Sequence, residues 1–323
     1  MTLVVAWNCP VSGDDYDECG IRILADSRLM DGKDPLPITD SFPKLQTVNP
    51  QVLYPETFHD DDCSEIFSCV KVHSYPLIGM AFAGSSLSFQ YAATRIHGEM
   101  AKLGLRIIGD SEENLRTIIT RDAKAQHYGP GEWMSSKLLN PPPPFDITAA
   151  GEVICDEMTH FFKGRNQVVI PYNLDGFLKF EADIGLFGYC QYSQSFEILR
   201  VAARPIQDEA GTAQPIYSWE KLNPGEILLL GSNEAHPEIL ERITQYEIHL
   251  KLDSSVLDPR SSAIELVFNS IMTDDRFPRI GGKVCKAEVS KEHGFRILED
   301  PDGENWKKPR SFKNIIPRRT LTP

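Results

Sequence analysis

Residues 2–7, Thr-Leu-Val-Val-Ala-Trp, and residues 21–26, Ile-Arg-Ile-Leu-Ala-Asp, decide how this chain is read. Each is a short run rich in β-branched and aliphatic side chains, and residues 8–20 between them are polar and turn-forming. Runs of this length bounded by turn residues read as strands, so the chain opens as a hairpin with a long loop. Working outward, residues 44–48 and 77–83 give the next strands, with an acidic loop carrying His59, Asp60, Asp61 and Asp62 between them. Four strands therefore precede any helix.

Phe89, Ala92, Ile96, Met100 and Leu103 then recur at helical intervals, and Leu115, Ile118 and Ile119 follow a capping-box pattern at Asp110 to Glu113. The spacing predicts a pair of amphipathic helices, each with one face on a sheet. From 127 to 177 the periodicity is lost in Gly-Pro-Gly and the proline run at 141–144, apart from a short helix around 157–162, so this stretch reads as an insertion or lid. Strand patterns return at 182–189, 196–201 and 226–230. A helix over 236–246, another with Ile264, Val267, Phe268 and Ile271 on one face, and strands at 284–289 and 295–298 complete the core.

The order is strands, two helices, strands, two helices, strands. Two antiparallel sheets packed face to face, each covered by a helix pair, satisfy every apolar face in that order, an α+β four-layer αββα sandwich. Residues 2–300 read as one domain, with insertions at about 49–76 and 127–177. Residues 301–323, with Lys307, Lys308, Arg310, Lys313, Arg318 and Arg319 among prolines, read as an extended basic arm.

Composition narrows the function. A chain of 323 residues, 41% hydrophobic, can bury a large core, and its net charge of -13 repels phosphate backbones and anionic lipid. Neither nucleic-acid nor membrane binding is expected. The apolar start is too short for a signal peptide and no later run is long enough to span a bilayer. The seven cysteines are an odd number without a CxxC pair, which fits free thiols in a reducing cytoplasm. His59 to Cys63 with His73 offers metal-ligand residue types, but consecutive acids on a loop usually form a solvated face and the spacing is not that of a zinc site. No phosphate-binding glycine loop, Gly-x-Ser-x-Gly elbow or His-Glu-x-x-His run appears, so neither cofactor nor metal is expected.

The chemistry points to the amino terminus. A threonine hydroxyl is a weak nucleophile, but as a first residue it sits beside its own α-amine, whose pKa of about 8 suits it to act as a base. Thr2 is small enough for the initiator methionine before it to be removed. Its company gives it weight: Thr2-Leu3-Val4-Val5 opens a strand, Ile23-Leu24-Ala25-Asp26-Ser27-Arg28 ends the next, Phe42-Pro43-Lys44-Leu45 opens a third and Ala83-Gly84-Ser85 ends a fourth.

These segments, in this order, resemble the amino-terminal half of a proteasome β-type subunit, a member of the N-terminal-nucleophile (Ntn) hydrolase superfamily. The resemblance implies Thr2 as nucleophile, Asp26 and Lys44 as a charge pair beside it, and the Gly84 N–H as oxyanion donor. Ser27, Leu29 and Met30 would run along the substrate strand, and Phe82 would lie at the base of the primary side-chain pocket. Leu230-Gly231-Ser232-Asn233 resembles the family's Gly-Ser-Gly segment, which would put the Ser232 hydroxyl near the Thr2 amine. Asp274-Asp275 before Gly281-Gly282 resembles its Asp-x-x-Ser-Gly-Gly with stretched spacing and Ile280 in the serine's place, and Asp275 is the expected supporting acid.

The expectation is a cytoplasmic threonine-type amide-bond hydrolase acting on peptides or another amide. By resemblance it is a homo-oligomer, as a closed ring, with a partner ATPase or regulator left open. The alternative is a proteasome-like scaffold or binding subunit without turnover. Ile280 and the insertions favour the scaffold; Thr2, Asp26 and Lys44 together favour the hydrolase.

Overall fold

The computed structural model describes residues 2–9, 19–30, 37–59, 65–108, 116–120, 143–168, 181–207, 213–231, 233, 235–253 and 255–299. Its first strand, β1 (Leu3–Asn8), has five consecutive buried residues before the half-buried Asn8. A strand covered on one face alternates apolar and polar; an unbroken apolar run means both faces are covered. The coverings differ. Val4 and Ala6 lie in one apolar cluster with Ala81, Ala83 and Phe187, whereas Leu3, Val5 and Trp7 lie in another with Ile239, Ile243, Ile264 and Phe268. The two-residue period of the strand divides its side chains between these clusters.

Two five-stranded antiparallel sheets result. The first takes β14 (Ile227–Gly231), β1, β2 (Cys19–Asp26), β15 (Val284–Ser290) and β16 (Gly294–Glu299) in that order. The second takes β13 (Ala213–Lys221), β12 (Ser195–Gln207), β11 (Ala182–Cys190), β8 (Ile78–Gly84) and β5 (Leu45–Val48). The strand β8 is shared in the same manner as β1: Ala81 and Ala83 join the cluster containing Val4 and Ala6, and Ile78, Met80 and Phe82 join a third with helix residues. The inter-sheet cluster mixes large side chains such as Phe187, Leu230 and Phe295 with Ala6, Ala25, Ala81 and Ala83.

Among the described residues, four helices complete the α+β fold: α1 (Ser86–Met100), α2 (Ile147–Val168), α3 (His236–Leu250) and α4 (Pro259–Met272). Ser85 caps α1 by accepting from the Ser88 N–H, and Asp258 caps α4 by accepting from the Ser261 N–H at 3.0 Å. Trp7, fully buried, donates its indole N–H to Ser261 Oγ at 2.8 Å and so ties α4 to β1. No helix among the described residues is long and apolar enough to cross a membrane.

Two expectations are corrected. The second helix of the first pair is not at 110–120, where Arg116–Thr120 forms β10, antiparallel to β9 (Gly104–Ile108). Thr117, Ile118, Ile119 and Thr120 are all β-branched, and in so short a run three apolar residues fit either period, so propensity decides. The missing partner is α2, inside the stretch read as an insertion. Ile147, Ala150, Val153, Ile154, Met158 and Phe162 bury one face of this 22-residue helix in the cluster that holds Phe89, Ala92 and Ile96 of α1. Within 49–76, β6 (Gln51–His59) pairs antiparallel with β7 (Glu65–Ser74). Residues 60–64 of the expected acidic loop and the expected arm at 301–323 lie outside the described residues.

Candidate active site at the start of β1

Strand β2 ends at Asp26, and the register Val4↔Ala25 sets that residue level with Leu3. The Asp26 carboxylate is fully buried. Its Oδ1 accepts from the Leu3 N–H at 2.8 Å and from Lys44 Nζ at 2.6 Å, and its Oδ2 accepts from the Gly281 N–H at 3.3 Å. Lys44 is itself only 1% exposed. A buried ion pair survives only where further hydrogen bonds satisfy the remaining lone pairs, and here two backbone N–H groups do so.

The loops that bring Lys44 to Asp26 are tied through Ser27 and Arg28. Both backbone N–H groups donate to the Gly281 carbonyl, at 3.2 and 3.0 Å, and the Phe42 N–H donates to the Ser27 carbonyl at 2.8 Å. The buried Ser27 hydroxyl donates to the Asp40 carbonyl and accepts from the Lys283 N–H at 2.7 Å. Arg28 donates to the Asp40 carboxylate at 2.7 Å and to the Pro278 carbonyl at 2.8 Å. Burial pushes the Asp26 carboxyl up and the Lys44 ammonium down from their ordinary values, against the attraction between them. The pair is thus closer to sharing a proton than a surface pair would be.

Thr2 and Gly84 line one cavity of about 180 Å³, together with Gly231, Asn233, Glu181 and Asp183. Thr2 is 6% exposed. Gly84, at φ +103, pairs with Ala182 across β8 and β11, and a Cβ there would lie 2.3 Å from the Glu181 carbonyl. The same carbonyl accepts from the Ser85 N–H at 2.8 Å. Only a residue without a Cβ fits this turn from strand to helix.

Of the residues expected from sequence, Thr2 and Gly84 share the cavity, and Asp26 and Lys44 are joined one peptide unit from Thr2. Ser232 lies outside the described residues, but its neighbours Gly231 and Asn233 are on the cavity wall. Asp275 is exposed beyond α4, and its neighbour Asp274 pairs with Arg276 at 2.6 Å and Arg242 at 3.6 Å. Leu29 and Met30 are half-buried in β3 (Leu29–Met30), which pairs with β4 (Pro37–Thr39). Phe82 is on the helix-facing side of β8, stacked on Phe89 with centroids 3.8 Å apart and edge-on to Phe42 at 6.0 Å.

Two cavity residues were missed from sequence. Glu181 and Asp183, two apart at the start of β11, project on one side by the strand period, and that alternation was the available signal. Asp183 is paired with Arg200 at 2.9 Å. Burial, then the Asp183 charge, pushes the Glu181 carboxyl above its ordinary value, with Arg200 opposing. A carboxyl raised in the folded state is unpenalised below its unfolded pKa and costs stability as pH rises through its folded value. Glu181→Gln should therefore melt with the wild type at pH 4 and above it at pH 8, read by thermal unfolding at both.

Asp146, Cys190 and Glu197 bring potential metal-ligand atoms within 4.8 Å of one another. Glu197 already accepts from Lys221 at 2.6 Å and from Ser195 at 3.2 Å, and Asp146 accepts from the Thr148 N–H at 2.9 Å. These bonds account for the cluster as it stands.

No protein-family model matches the chain, and no curated protein matches it by sequence. Among solved structures it is similar to Anbu (ancestral beta-subunit) from Yersinia bercovieri, at 11% identity and TM-score 0.45, covering 93% of this chain and 89% of that one. An Anbu (Gly-1) mutant from Hyphomicrobium sp. strain MC1 gives 12% identity and TM-score 0.44, covering 93% and 86%. Eukaryotic HslV from Trypanosoma brucei gives 10% and 0.33, covering 90% and 99%. At these TM-scores the likenesses are too distant to carry an assignment of fold or function.

Proposed function

We propose that the chain is a threonine-type amide-bond hydrolase of the Ntn superfamily, a proteasome-like peptidase whose nucleophile is Thr2 after removal of Met1. One observation carries this reading: the buried Asp26–Lys44 pair is bonded to the Leu3 N–H, the peptide unit joined to Thr2, where Thr2 and Gly84 wall a common cavity. The two sheets and two helix pairs, with their three apolar clusters, are read as the αββα sandwich of that superfamily, formed as a single domain.

In this reaction the Thr2 Oγ attacks a carbonyl carbon while the Thr2 α-amine takes the hydroxyl proton, then returns it to the departing amine. Water, deprotonated by the same amine, releases the acyl group. Lys44 keeps positive potential beside the amine, which favours its neutral, proton-accepting form, and Asp26 offsets the cost of burying that cation. The Gly84 N–H is the donor assigned to the oxyanion. Peptides are the proposed substrates, in the cytoplasm, with the chain assembled as a homo-oligomeric ring. Any ATPase or regulator would act on that ring.

The test is the mass of the mature chain and of its adduct with a hydroxyl-selective electrophile such as a peptide epoxyketone. A chain lacking Met1, labelled on Thr2 and unlabelled as Thr2→Ala, is the expected result. Retention of Met1 would leave no free Thr2 amine and return the scaffold reading, which Ile280, buried in place of a serine hydroxyl, favours.

A further inference from the structure

A second cavity, of about 490 Å³, is lined by residues of β12, β13 and β14, by α3 from His236 to Glu247 and by Arg260 of α4, and shares no lining residue with the Thr2 cavity. Its volume falls within the range of about 300–1,000 Å³ typical of small-molecule sites, which are mostly apolar with a few placed polar groups. Leu222, Leu228, Leu229, Leu240 and Ile243 supply the apolar wall. Arg200, His236 and Arg260 supply the donors.

Among the described residues, Arg200 Nε, His236 Nε2 and Arg260 Nε are all buried without a hydrogen-bond partner. Orphaned buried nitrogens are rare, and here three belong to residues that line one cavity. Arg260 donates only to the Gly225 carbonyl and has no carboxylate partner among the described residues. The acids of the same cavity are otherwise engaged. Glu226 accepts from the Asn223 N–H at 2.8 Å, Glu247 is paired with Lys251 at 2.7 Å, and Glu220, 63% exposed, stands 3.9 Å from Arg200. Burial, with Arg200 beside it, holds the His236 imidazole below its ordinary value, so near neutral pH it is an uncharged ring with one N–H to give.

We propose that this cavity binds a small organic acid, its carboxylate held by Arg260 and Arg200 beside His236 and its apolar body against the leucine wall. The guanidinium of Arg200 also holds Asp183, a wall of the Thr2 cavity, at 2.9 Å. An occupant that draws on Arg200 is therefore felt at the Asp183 carboxylate, which gives the site a physical route to the Thr2 cavity. Binding itself does not depend on any chemistry at Thr2.

Calorimetric titration of the full chain at neutral pH tests this, with octanoate as probe and octan-1-ol and inorganic phosphate as separate arms. Octanoate is expected to saturate a single site, with octanol and phosphate at least about 10-fold weaker, the loss of one charge-assisted contact or of the apolar contacts. Arg260→Met should weaken octanoate at least about 10-fold, and so should Leu240→Glu, which sets a like charge at a position exposed enough to tolerate it. Equal binding of octanol, equal binding of phosphate, or octanoate binding indifferent to Leu240→Glu would each overturn the assignment. Should Arg260→Met fail to fold, Leu240→Glu decides.

Discussion

Lys44→Met is expected to lower the stability of the chain by about 3–5 kcal/mol and to abolish labelling of Thr2, because it strands a buried carboxylate. Asp26 has no exposed surface and would keep only the Leu3 and Gly281 N–H groups as donors. Methionine matches the length of the lysine stem, so little of the loss comes from packing. Asp26→Asn with Lys44→Met removes both charges and retains an oxygen for the Leu3 N–H. That double variant should recover much of the stability while Thr2 stays unlabelled. Denaturant midpoints read the first effect and adduct mass the second. If the double variant is labelled at the wild-type rate, the ammonium has no part in activating Thr2. If Lys44→Met is as stable as the wild type, the pair is not the buried pair described.

How much of this was legible before the structure follows from which patterns are local. Strands β1, β2, β5, β8, β11, β14, β15 and β16 and the start of β12 were readable because each is a short apolar or alternating run between turn residues. Asp26, Lys44 and Gly84 stood at the ends of such runs. Strand β13 was not read as a strand: Ala213 to Lys221 holds Pro215 and mixed polarity, and its strand form comes from the edge pairing with β12. The helix α2 was read only as a short helix around 157–162 inside an insertion because a proline run stands before it and acids interrupt its apolar stripe, although Ile147, Ala150, Ile154, Met158 and Phe162 keep helical spacing. Phe82 illustrates a different limit. Its place in a strand was readable, but which face of the strand a side chain takes depends on what covers the sheet, and here Phe82 stacks on Phe89 of α1. The roles of Ser27 and Gly281 were beyond any pattern reading. Their backbone groups are joined across 254 positions of sequence.

Gly231→Ala is the sharper test of where the amino terminus sits. Gly231 is at φ +109, and a Cβ on it would lie 1.6 Å from the Thr2 carbonyl oxygen. That overlap cannot be absorbed by a rotamer, because the obstructing atom is backbone. Either β14 moves or the start of β1 does. Moving β14 would disturb Leu228 and Leu230, both in the inter-sheet cluster, at a cost of several kcal/mol for large buried side chains. Moving the chain end loses the Leu3↔Gly231 pairing, about 0.5–1.5 kcal/mol per hydrogen bond. The chain end yields. Stability should therefore fall by only about 1–3 kcal/mol, with the strain of a non-glycine residue at positive φ included, while labelling of Thr2 falls at least about 100-fold, the cost of misplacing a reacting atom by an ångström or so. Parallel measurement of unfolding midpoint and adduct rate separates the two effects. Undiminished labelling in Gly231→Ala would mean that the reacting residue is not held against β14, and Thr2 would lose its claim to be the nucleophile.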